Sequence, residues 1–146
     1  MNVERLKMWR DALIEADKKG RVFDIRMWRR ATPDSPCGFA ACAAGDLAMY
    51  GPAQDLGMGF SDGGIIFVDP STMELEHGSD AVCAFLGVQA HLYPISPDEV
   101  WVRHTISSSN EGNVYRDPQG RPLHRHSITR AMVLARIEAK IAKIER

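Results

Sequence analysis

Apolar residues recur at helical spacing at both ends of the chain. Val3, Leu6, Trp9, Leu13 and Ala16 predict an amphipathic helix over residues 3–19, with Asn2 as its cap and Lys18-Lys19-Gly20 as its stop. Ile128, Met132, Leu134, Ile137, Ile141 and Ile144 predict a second over residues 128–145, capped by Ser127, with Arg130, Arg136, Lys140, Lys143 and Arg146 mostly on the opposite side. Between them, Ser35 and Pro36 suit the cap and first position of a helix over residues 36–49 that Gly51-Pro52 closes. The residues inside that stretch are small (Ala40, Ala41, Ala43, Ala44, Gly45), which predicts a buried central helix with close neighbours.

Strand signals are fewer. Phe23 to Trp28 alternates briefly and reads as a short strand or a helical turn, followed by solvated Arg29 and Arg30. Ile65 to Val68 and Met73 to Glu76 flank the turn-like Asp69-Pro70-Ser71-Thr72 and predict a β-hairpin. The preceding residues 57–64 hold four glycines and no periodicity, which predicts a loop. Residues 79–86 predict a short helix capped by Ser79 and stopped by Gly87, with one more helical turn over residues 88–93. Residues 96–106 combine a capping-box pattern with a β-branched run and are assigned to strand; residues 107–122 are polar, turn-rich and read as a mobile loop. Together these elements predict a single domain over residues 1–146. Its class is α+β and mainly helical: a small helical domain around a buried Ala-rich helix, with a β-hairpin.

A chain of 146 residues can form its core without metal or disulfide. No apolar run is long enough to span a bilayer, and the charged N-terminus does not resemble a signal peptide. Three cysteines, Cys37, Cys42 and Cys83, predict reduced thiols in a cytoplasmic setting, packed as small hydrophobes. The net charge of −1 is unevenly spread. Residues 1–50 carry nine Lys/Arg against seven Asp/Glu, residues 51–100 carry eight Asp/Glu and no Lys or Arg, and residues 101–146 carry nine Lys/Arg against four Asp/Glu. Such asymmetry fits a partner-binding face, and equally an acidic middle that packs beside basic ends.

Three segments carry a resemblance. Phe23-x-x-x-Met27-Trp28, Cys37-Gly38-x-x-x-Cys42-x-x-Gly45 and Ala81-x-x-Phe85-Leu86-Gly87 resemble an uncharacterised family of small bacterial and phage proteins. That family has a C-G-T-x-x-C-x-x-G core motif and a later F-G-L segment. The resemblance covers residues 20–93 and the final helix; Phe39 replaces the usual Thr, and Asp46 stands where an aromatic residue or His is common. It implies a cytosolic host or phage context and no particular activity.

No complete catalytic constellation is present, which favours a non-enzymatic reading. In the leading one the chain is an accessory protein acting by protein–protein interaction, for example by blocking a host factor. Asp55, Asp62, Asp69, Glu74 and Glu76 are its candidate contacts with a protein partner. A cysteine-dependent hydrolase or transferase is the first rival. Cys37, in the first turn of the predicted helix, would be activated by the helix dipole, with His77 as base and Asp80 or Asp69 as its orienter. The second rival is an anion- or nucleic-acid-binding module built on Arg103, Arg116, Arg121, Arg125 and Arg130, with Arg136, Trp101 and Tyr115 in support. His124-x-His126, with His104, is a metal-like pattern in a basic setting that disfavours a cation. Cys37 and Cys42, five apart on a helix, would diverge too far to share an ion. No cofactor is implied: the phosphate-loop and nucleophile-elbow motifs are absent.

Overall fold

A computed structural model describes residues 1–24, 27–62, 64–88, 117–121, 123 and 127–146. Among these residues the fold is α+β, with five helices and two small antiparallel sheets. In chain order the elements are α1 (Val3–Lys18), β1 (Arg30–Ala31), β2 (Phe39–Ala40), α2 (Ala43–Ala48) and α3 (Gly51–Asp55). These are followed by β3 (Met58–Ser61), β4 (Gly64–Val68), β5 (Leu75–His77), α4 (Gly78–Leu86) and α5 (Arg130–Ile144). No helix among the described residues is long and apolar enough to cross a membrane.

The first helix forms as its periodicity predicts. The Asn2 side chain accepts from the Arg5 N–H at 3.1 Å, and Leu6, Trp9, Ala12, Leu13 and Ala16 are buried. Its C-terminus closes as a Schellman turn: Gly20 N–H donates to Asp17 and Arg21 N–H to Ala16, with Gly20 at φ +68°. That turn sets Arg21 at a fixed point beyond the helix. Arg5 ties the same helix across the molecule. Its guanidinium lies over the Phe67 and Phe85 rings, which meet edge to face at 5.7 Å, and donates to the Phe85 carbonyl at 2.8 Å.

The central helix is shorter than predicted. Residues 36–42 are not helical, and α2 begins at Ala43. Gly38 takes φ +83°, and the Ser35 hydroxyl, instead of capping a helix, accepts from the Val22 N–H at 2.7 Å. Phe39 and Ala40 pair with Ala31 and Arg30, and Ala41 exchanges backbone hydrogen bonds with Val22 and Asp24. Tertiary pairing outweighs the helix propensity of the alanines. Cys42 caps the helix, its Sγ accepting from the Gly45 N–H at 3.4 Å. Gly51-Pro52 opens α3 rather than closing α2. All six α2 residues are buried, and the Trp9 indole N–H donates to the Ala43 carbonyl at 2.7 Å. Isolated helices of this length are marginal in water, so packing holds α2 in place.

The hairpin prediction holds, but the sheet has a third strand. β4 pairs antiparallel with β5, and residues 58–61, read as loop, form β3 on its other edge. Met58, Ile65 and Phe67 face the core. The four glycines masked the alternation of this hairpin. Arg29 is half-buried, not solvated: its guanidinium sits 4.7 Å from the Phe39 ring and 4.2 Å from the Phe60 ring, joining the two sheets. Helix α4 starts one residue earlier than predicted, its cap position being His77 with no side-chain hydrogen bond. It ends as predicted, on Gly87 at φ +71°. Helix α5 is capped by Thr129 rather than Ser127, the Thr129 hydroxyl accepting from the Met132 N–H at 3.2 Å. The predicted turn over residues 88–93 and the predicted strand over residues 96–106 fall almost wholly outside the described residues, as does most of the 107–122 loop.

One apolar cluster runs from Leu6 through α2, the inner face of the three-stranded sheet and α4 to Ile141. Cys42 and Cys83 lie in it as small hydrophobes, as predicted. The closest approach is at Gly45, where an added Cβ would lie 1.7 Å from the Trp28 carbonyl oxygen. Backbone cannot yield as a side chain can. Gly45→Ala is therefore expected to lower unfolding free energy by about 3 kcal/mol or more, read as a fall in urea midpoint. An unchanged midpoint would contradict this packing.

Candidate functional site

Two groupings emerge from the structure, one buried and one on the surface. The buried one centres on Asp46, in the first turn of α2, whose side chain is fully shielded from solvent. An unpaired carboxylate in an apolar core would be costly, so it must find donors. Arg130, the first residue of α5, donates from Nε to Oδ2 at 2.7 Å and from Nη2 to Oδ1 at 3.3 Å. Arg21 donates from Nη1 to Oδ1 at 3.1 Å. Arg130 also donates to the Arg21 carbonyl at 2.8 Å and lies over the Phe23 ring. Burial pushes the Asp46 carboxyl above its ordinary range, against the pull of Arg130 and then of Arg21.

Arg130 was grouped by sequence with the anion-binding arginines. The structure corrects that placement: it is buried, and its guanidinium is engaged by Asp46. Arg121 is exposed and paired with Asp117 at 3.2 Å, while Arg103, Arg116 and Arg125 lie outside the described residues with Trp101 and Tyr115. His104, His124 and His126 lie outside them as well. Among the described residues no cluster of three or more His, Cys, Asp or Glu could hold a metal.

Two guanidinium groups facing one carboxylate leave a positive charge over, and Cys37 stands beside it. Arg21 Nε donates to Cys37 Sγ at 3.4 Å, and Sγ lies 3.5 Å from the Phe39 carbonyl oxygen. Cys37 is not in the first turn of a helix, and it is exposed rather than packed as filler; both expectations are corrected. Slight burial raises its thiol pKa, but the Arg21 hydrogen bond, backbone hydrogen bonding at Phe39 and the Arg21 charge together outweigh it, and the thiol sits below its ordinary value. The electrostatic assistance assigned to a helix dipole thus comes from Arg21. His77 is exposed where β5 runs into α4, and Asp80 is exposed in the first turn of α4. Cys37 hydrogen-bonds to neither. The groove beside α1, lined by Asp11, Ile14, Glu15, Lys18 and Tyr50, encloses about 450 Å³ and offers no cysteine or histidine.

The surface grouping lies on the three-stranded sheet. Asp62 occupies the β3–β4 turn at φ +51°, and Asp55 ends α3 just before β3. Asp69 N–H donates to the Glu74 carbonyl at 3.0 Å, closing the β4–β5 turn, and Glu76 lies on β5 opposite Phe67. The Asp69 carboxylate accepts from the Ser71 hydroxyl and N–H at 2.7 and 2.8 Å, which hold it below the usual carboxylate range. Two large apolar side chains stand in the same stretch: Met73 is 73% exposed and Leu75 50%. Sequence had marked the carboxylates but not these neighbours, because Met73 and Leu75 entered only as part of a hairpin strand and their exposure depends on the fold.

No protein-family model, curated protein or solved structure matches this chain.

Two outcomes test this electrostatic arrangement. Arg130→Met should cost about 3–5 kcal/mol at pH 7, because a buried carboxylate loses a counter-ion. Its folded pKa then lies further above its unfolded one, so the folded chain binds the proton more readily and the deficit shrinks as pH falls toward 5. Urea melts at both pH values check the magnitude and the sign. Native iodoacetamide labelling at about pH 7.5 should modify one thiol per chain, lost in Cys37→Ser. Burial keeps Cys42 protonated, its thiol pushed up to about 12. Arg21→Gln should move the pH of half-maximal labelling upward; an unmoved profile would remove Arg21 from the account.

Proposed function

We infer that this chain is a small cytosolic protein-interaction module whose contact surface is the acidic three-stranded sheet. A phage or prophage accessory role that blocks a host factor fits the resemblance in its cysteine–glycine segments. The mainly helical body, built around the buried α2, serves in this reading as a rigid mount for the sheet. The observation that carries the reading is the pairing of exposed Met73 and Leu75 with Asp69, Glu74 and Glu76 on a single hairpin. Apolar side chains in water beside a same-sign rim suit desolvation on contact, with charge steering a basic partner inward.

The cysteine-dependent reading keeps one specific support, the exposed Cys37 thiol beside Arg21. It wants a base, and His77 does not contact the sulfur among the described residues.

The test uses the whole chain as bait in a bacterial lysate, followed by purification of whatever is captured. Binding of the purified partner should weaken at least 10-fold when Asp62, Asp69, Glu74 and Glu76 are all changed to Lys, and should weaken with salt. Lys143→Glu with Arg146→Glu, on the far end of α5, should leave it within twofold. Full affinity in the four-site variant would refute the reading.

A further inference from the structure

We draw no further inference here: the strongest candidate, the side-chain cluster in which exposed Cys37 meets the buried Arg21 and Asp46, belongs to the site already described, and nothing among the described residues points to a ligand or co-reactant for that single cysteine.

Discussion

The buried carboxylate of Asp46 is the constraint around which the rest is arranged. It sits in a six-residue helix too short to persist alone, at a point where water cannot reach it. The charge is tolerable because Arg130 grips both of its oxygens from the start of α5 and Arg21 reaches it from the turn after α1. Segments 84 and 25 residues away in sequence are thereby fastened to α2. A buried ion network of this kind is weak evidence for net stability, since desolvation offsets most of the attraction. What it supplies is geometry: four hydrogen bonds, including the one from Arg130 to the Arg21 carbonyl, tie the start of α5 and the turn after α1 to α2.

The same network shapes the surface on both sides of it. Arg21, one of its two cations, also reaches the exposed Cys37 sulfur, and its hydrogen bond and charge favour the thiolate there. On the other side, the packed α2 and α4 support the inner face of the three-stranded sheet through Ile65, Phe67 and Phe85. The sheet's outer edge is left with acidic side chains and two exposed apolar ones.

Much of this was legible from pattern alone. Both long helices, the stop at Gly20, the hairpin around residues 69–72 and the helix ending at Gly87 each had a local cause in the sequence. What failed was set by distant partners. Ser35, Pro36 and five alanines spell a helix locally, but Ser35 is taken by Val22 and Ala41 by Val22 and Asp24, so the chain turns at residues 35–38 and pairs as strand before the helix starts after Cys42. β3 was hidden because glycines at 57, 59, 63 and 64 remove the side chains that reveal a period of two. Asp46 offered a clue: a lone carboxylate among alanines demands cationic partners. Their identity, Arg21 and Arg130, follows only from the fold. The acidic middle of the chain was visible as composition, whereas the exposure of Met73 and Leu75 beside it depends on which strand ends up at the edge.

The most direct measurement is a double-mutant cycle on Asp46→Ala and Arg130→Ala, with unfolding free energies from urea titration at pH 7. A carboxylate and a guanidinium that depend on each other should show a coupling of at least about 1.5 kcal/mol, the double variant being far less destabilised than the two single ones added together. Additivity to within about 0.5 kcal/mol would mean that the two residues act independently, and would contradict an architecture organised around Asp46.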